Sequence, residues 1–273
     1  MRFVRERTNK SSVCAILKLN RSSVYYKSKR KSDELESEVI YIFKKHLSNY
    51  GSRRIKAELK KEGKIASKRR ICRILSKNGL ESKHGRKKLA KNIHTSNDKK
   101  YIADNRTSGK SATKPGEVVH TDFTEIQYKG GKLYVSGMID AYDKNVVLVY
   151  GMRQTKELVK ENLERLSIRP QILHSDRGPQ YTSTEIRDYL EKHGILRSMS
   201  APYCSYQNAY IESFWKTLKV EIGSFANLSL DQVILVLSYY EHYYNNERIH
   251  SSLNYMTPSQ FRALSFSNVS EKY

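Results

Sequence analysis

Residues 169–194, RPQILHSDRGPQYTSTEIRDYLEKHG, decide how the chain is read. Pro170 admits a short apolar run, Ile172–Leu173, that has the size of a buried strand. The run ends on Asp176, and Gly178-Pro179 breaks the chain behind it. An amphipathic helix follows, with Thr182 or Ser183 as its cap and Gly194 as its stop. A strand with a carboxylate at its C-terminal end, followed by a helix, is how open α/β sheets build their sites.

Working outward, the pattern repeats. EVVHTDFTEIQYK (117–129), GKLYVSGMID (131–140) and NVVLVYGM (145–152) read as three antiparallel strands. Gly130-Gly131 and Asp143-Lys144-Asn145 supply their turns. TKELVKENLERL (155–166) is an amphipathic helix, ILRSMS (195–200) a fifth strand, and NAYIESFWKTLKVEIG (208–223) a further helix. Three strands, then helix, strand, helix, strand and helix is the order of an RNase H-like α/β fold with a sheet of mixed direction.

Charge divides the chain. The formal net charge is +22, and all of the excess lies in residues 1–114, with 33 Lys+Arg against 10 Asp+Glu. A basic half of this kind attracts a polyanion by releasing its counterions. Within it, Leu35, Val39, Ile40, Phe43 and Leu47 follow a helical rhythm, Ile55 and Leu59 mark a second helix ending at Gly63, and Ser67 caps a third, which Gly79 stops. That third helix is apolar inside and carries Arg69, Arg70, Arg73 and Lys77 outside, the layout of a major-groove reader. Residues 11–27 read as two shorter helices joined by a turn. The domain reading is a basic N-terminal segment at 1–32, a helix-turn-helix region at 33–80, a basic linker at 81–110, a catalytic core at 111–226 and a helical extension at 227–273. No run of 18 apolar residues offers a membrane span. Three scattered cysteines and no secretion signal point to free thiols in the cytoplasm, with association to the nucleoid.

Three acids stand where phosphoryl-transfer chemistry needs them. Two divalent ions about 3.5–4 Å apart activate the attacking oxygen and stabilise the leaving one, and hard cations take carboxylate oxygens. Asp122 sits inside the first strand, where an unpaired acid is costly. Asp176 ends the fourth strand, and Glu212 lies on the helix after the fifth, with 35 residues between the last two. Lys216 and Lys219 return to the face of Glu212 within about 40° and 20°. His174 and His193 read as structural, and His120 as packing in preference to contacting DNA. Glu125 alternates to the opposite sheet face from Asp122. Asp140 and Asp143, at a turn, read as surface charges.

These motifs together resemble the second-frame (OrfB) transposases of the insertion-sequence-three family, relatives of retroviral integrases. The resemblance is carried by YGSRRIKAELKKEGKIASKRRICRILSKNGL (50–80), TDFTEI (121–126), HSDRGPQYTS (174–183), NAYIESFWKTLKVE (208–221) and YYNNERIHSSLNYMTPSQF (243–261). It implies an RNase H-like integrase catalytic core preceded by an all-α helix-turn-helix region. It implies a DDE metal triad of Asp122, Asp176 and Glu212 holding two Mg²⁺ (or Mn²⁺) ions, and lysines at 216 and 219 that hold the DNA end. The implied reaction is cleavage at the ends of a bacterial insertion sequence, followed by strand transfer into target DNA. The implied partners are double-stranded DNA, the product of an upstream frame as fusion or partner, and further copies of the chain on DNA, with no membrane. The family's acid in the loop before the Glu helix is Gln207 here. A non-catalytic DNA-binding regulator and a simple RNase H-like nuclease share parts of this pattern; the basic half argues against the nuclease.

Overall fold

The computed structural model describes residues 34–85, 103–107, 111–201 and 204–270. The helical pair expected over 11–27 and most of the linker expected over 81–110 lie outside these. The chain divides after Glu38 into two compact units, the first contributing only residues 34–38, which open the first helix.

Among the described residues three helices come first: α1 (Glu36–Lys45), α2 (Ser52–Lys61) and α3 (Lys68–Lys77). Their inner faces bury Ile42 and Phe43, Ile55 and Leu59, and Ile71, Ile74 and Leu75. Ser67 caps α3 as expected, its hydroxyl accepting from the Arg70 amide at 3.1 Å. Leu47 departs from the periodic reading. The helix ends two residues earlier, Leu47 and Ser48 adopt φ of 52° and 63°, and the Leu47 side chain turns out to solvent. Once the backbone leaves helical geometry, helical spacing no longer predicts a face.

The sheet follows. β1 (Val118–Tyr128), β2 (Gly131–Asp140) and β3 (Val146–Gly151) form an antiparallel meander. α4 (Lys156–Arg165) returns the chain to β4 (Ile172–Ser175), parallel to β1. A single turn, α5 (Pro179–Thr182), and α6 (Thr184–Lys192) lead to β5 (Leu196–Met199), parallel to β4. The strand order is β3-β2-β1-β4-β5, the mixed sheet the sequence order implied. Ser183 is the cap of α6, accepting from the Ile186 amide. Alternating side chains serve two apolar layers. Val119, Met138 and Leu173 pack with Val159, Ile186 and Leu190 of α4 and α6. Ile126, Val135, Ile139 and Leu148 pack on the other side with α7 (Ala209–Ile222) and α8 (Leu230–Asn246). α8 therefore shares the layer of α7 and covers β3, and α9 (Pro258–Ser270) follows it.

Asp140 and Asp143 are not surface charges. Both are buried at the end of β2 and paired with Arg262 of α9, which reaches Asp143 Oδ1 at 3.0 Å and Asp140 Oδ2 at 3.4 Å. Asp140 also accepts from the Gly116 and Tyr142 amides at 2.7 and 2.8 Å. The partner lies 119 residues beyond Asp143, so local turn chemistry could not reveal it.

A second buried ion pair lies beside the sheet, and His84, after α3, reaches it from the three-helix region. Arg248, just past α8, holds Glu221 at the end of α7 through Nη2 and Nε at 2.8 and 3.0 Å. His84 Nε2 stands 2.6 Å from the same carboxylate and the Tyr240 hydroxyl donates to it at 3.0 Å. Tyr50, stacked on His46, donates to the Glu247 carbonyl and accepts from the Ile249 amide. Burial alone would raise the Glu221 pKa, but the His84 hydrogen bond and the Arg248 charge outweigh it and hold it at about 2.

Removing one partner of such a pair strands a charge, at a cost of about 3–5 kcal/mol. Arg248→Met should lose stability of that order in urea unfolding at neutral pH. Glu221 is ionised in the folded chain down to about pH 2 but protonates near its ordinary 4.5 when unfolded. Its stabilisation is therefore present above pH 4.5 and is lost as pH falls toward 2. An Arg248→Met protein as stable as the parent would contradict the role given to the pair.

Candidate active site

Register places the first two acids. β1 and β4 are parallel, with His120 opposite His174. The two imidazoles share a face, their centroids 4.9 Å apart. Side chains repeat every second residue, and neighbouring strands lie about 4.8 Å apart. Asp122 and Asp176, each two residues further on, thus emerge side by side on that face. Asp176 lies one residue past β4, where its Oδ1 accepts from the Gly178 amide at 2.9 Å.

The third acid arrives on α7. Asn208, just before the helix, ties it to β1: its Nδ2 donates to the Thr121 carbonyl at 3.0 Å and its Oδ1 meets His120 Nδ1 at 2.9 Å. One turn beyond Glu212, the Trp215 indole donates to Asp122 Oδ2 at 3.2 Å. Room for the indole exists only because β2 carries Gly137 opposite Asp122. A Cβ at Gly137 would stand 2.5 Å from two carbons of the Trp215 ring. Asn208, Trp215 and Gly137 were not singled out from sequence; they lie on three elements and share no local signature.

The electrostatics agree with convergence. Burial first, then the charge of Asp176 and more weakly that of Glu212, raise Asp122 to about 7, against the opposing Phe123 amide and Trp215 indole. The Asp176 side chain is exposed at the rim, yet the protein wall beneath it raises its pKa too, with the Gly178 amide opposing. Among the described residues, no three His, Cys, Asp or Glu side chains stand close enough to enclose an ion. Asp122 thus feels the charge of both other acids, while no cage closes around a point among the described residues.

The remaining candidates have settled places. Lys216 and Lys219 are exposed on α7. Arg69, Arg73 and Lys77 are exposed on α3, and Arg70 is half-buried. His174 is buried and hydrogen-bonded to Ser198 and Ser200, both at 2.9 Å, and burial lowers it to about 4. It is neutral and structural. His120 is likewise buried and lowered to about 4, and it packs between His174 and Tyr210. His193 bonds the Tyr189 carbonyl at 2.7 Å, and Glu125 pairs with Lys132 at 2.9 Å. Gln207 accepts from the Ala201 amide at 2.7 Å, bracing the loop ahead of α7.

The integrase core domain matches residues 112–205, a second integrase core model matches 193–258, and an HTH-like domain matches 30–88. The insertion element IS600 uncharacterized 31 kDa protein of Shigella sonnei is 34% identical over 92% of this chain and 97% of its own length. The chain belongs to the insertion-sequence transposases. The transposase for insertion sequence element IS904 of Lactococcus lactis is 30% identical, over 83% of this chain and 92% of its own. Transposase InsF of insertion sequence IS3A of Escherichia coli is 27% identical over 92% of each chain. A chain of the simian T-cell lymphotropic virus intasome in complex with PP2A regulatory subunit B56 gamma superposes with a TM-score of 0.50 at 18% identity, over 82% of this transposase and 74% of that chain. That likeness bears on the fold, the mixed integrase-type sheet. No described helix is long and apolar enough to cross a membrane.

Trp215 is the single tryptophan of the transposase, so its fluorescence reports on this site alone. Gly137→Ala should expel the ring, shift emission to the red and cost about 1–3 kcal/mol of stability, as overpacking does. Emission and stability equal to the parent would show that the indole does not rest on Gly137.

Proposed function

We propose that Asp122, Asp176 and Glu212 are the catalytic carboxylates of this transposase, and that they hold two Mg²⁺ (or Mn²⁺) ions. The observation that carries the proposal is the elevation at Asp122, where a half-buried carboxylate feels both other acids. Such a cluster is costly until cations neutralise it, and its all-oxygen donor set suits a hard divalent ion. When bound, the ions would supply activation of the attacking oxygen and neutralisation of charge at the leaving oxygen.

The chain's own share is placement. β1 carries Asp122, Asp176 directly follows its parallel neighbour β4, and Asn208 ties the start of the helix that carries Glu212 to β1. The Trp215 indole orients one oxygen of Asp122. Lys216 and Lys219 extend from the helix that carries Glu212, where they hold the phosphates of a DNA end. Arg69, Arg70, Arg73 and Lys77 of α3 bind the element's terminal repeat. Cleavage at the element's ends and transfer of the 3′-hydroxyl to target DNA then need positioning and no covalent enzyme intermediate. Membership of the insertion-sequence transposases supports an assembly of several copies on DNA with the upstream-frame product as fusion or partner.

Asp122→Asn, Asp176→Asn and Glu212→Gln should each lower Mg²⁺-dependent cleavage of an oligonucleotide carrying the terminal repeat by roughly a thousandfold or more, with binding of that oligonucleotide retained. Normal cleavage by any one of them would remove that residue from the site. On α3, the combined Arg69→Gln, Arg73→Gln and Lys77→Gln variant should reduce the slope of log affinity against log salt by about one for each phosphate no longer neutralised. An unchanged slope would take α3 off the DNA.

A further inference from the structure

Beside the carboxylates, on the other flank of α7, lies a cavity of about 470 Å³. Its walls come from distant parts of the sequence: Arg54 of α2, Lys144 of the β2–β3 turn, Tyr210 and Ser213 of α7, and Arg248 and His250 beyond α8. No Asp or Glu is among its lining residues. Its positive groups are differently engaged. Arg248 is taken up by Glu221. His250 is buried against Arg248, and burial together with that charge keeps it neutral. Lys144 sits 4.0 Å over the Tyr210 ring and donates to the Ala141 carbonyl. The carboxylates nearest Lys144, Asp140 and Asp143, are held by Arg262, and an ammonium has three protons to give. Arg54, half-buried, lies over the Tyr50 ring at 5.4 Å and forms no ion pair among the described residues.

A cavity with two cations lacking a dedicated carboxylate, bordered by hydroxyls and free of acids among its lining residues, suits an anion. Its position restricts which anion. Ser213 is the neighbour of Glu212 in sequence, and the cavity and the acid are separated by no more than the width of α7, about 10–12 Å. We propose that this cavity binds one backbone phosphate of the DNA strand that enters the active site, through Arg54 and Lys144. The inference rests on the reading of Glu212 as part of that active site. It gives the three-helix region a direct part in placing the reacting strand, because Arg54 belongs to α2 and the other contacts belong to the sheet layer.

The test replaces one phosphate at a time by an uncharged methylphosphonate along the terminal-repeat oligonucleotide and measures its affinity for the full chain without divalent ions. In the parent, one position near the cleavage point should lose about tenfold through its charged contacts. In Arg54→Gln and Lys144→Gln the natural oligonucleotide should bind about tenfold more weakly, and methylphosphonate at that same position should cost nothing further. Arg54→Lys and Lys144→Arg, which keep the charge, should restore part of the effect and guard against a folding defect. If the two Gln variants show the parental pattern at every position, the cavity takes no DNA phosphate and the proposal fails. A pattern that follows the proposal while Glu212→Gln cleaves normally would remove Glu212 from the active site and leave the cavity's phosphate contact standing, so the two failures are distinguishable.

Discussion

The parallel pairing of β1 with β4 is the constraint on which everything else in the molecule turns. Parallel neighbours cannot be joined by a hairpin, so the chain must leave the sheet, pass over it as α4 and return. That detour sets strands distant in sequence side by side with their C-terminal ends together. Two carboxylates are thereby forced close, where neither hydration nor a counter-charge from the protein fully relieves them. An acid raised to about 7 inside a strand is a standing cost that the rest of the core must offset.

The offset is visible in how tightly the surroundings are determined. α7 is located by an asparagine at its entry, an indole one turn past its acid and a buried ion pair at its far end. These three fixings use different chemistry: amide to backbone, ring to carboxylate, and guanidinium to carboxylate. The last also captures the segment after α3, through His84. The proposed catalytic strand and the segment after α3 are thus fastened to opposite ends of a single helix.

Much of this was legible in one dimension. Apolar runs between turn residues picked out the strands, Ser67 and the Thr182-Ser183 pair announced their helices, and the acids could be singled out by an apolar strand around Asp122, a strand end at Asp176 and the 35-residue interval to Glu212. What escaped notice depends on separations no local pattern encodes. Arg262 meets Asp143 across 119 residues, so two buried anions looked like turn residues. Gly137 reads as an ordinary small residue until the tryptophan above it is seen. Leu47 continued a helical rhythm that the backbone had already abandoned. Arg54 and Lys144 came together only in the folded chain, since one sits on α2 and the other in a tight turn of the meander.

The indole of Trp215 does more than fill the space over Gly137. Because its N–H is bonded to Asp122, the pitch of α7 and the acidity of a strand residue become a single mechanical variable. Any tilt that lifts the helix withdraws a proton donor from the carboxylate and separates Glu212 from its companions in the same movement. On the proposed assignment, the protein loses competence for chemistry through a rigid-body shift of one helix, with every proposed catalytic side chain still present.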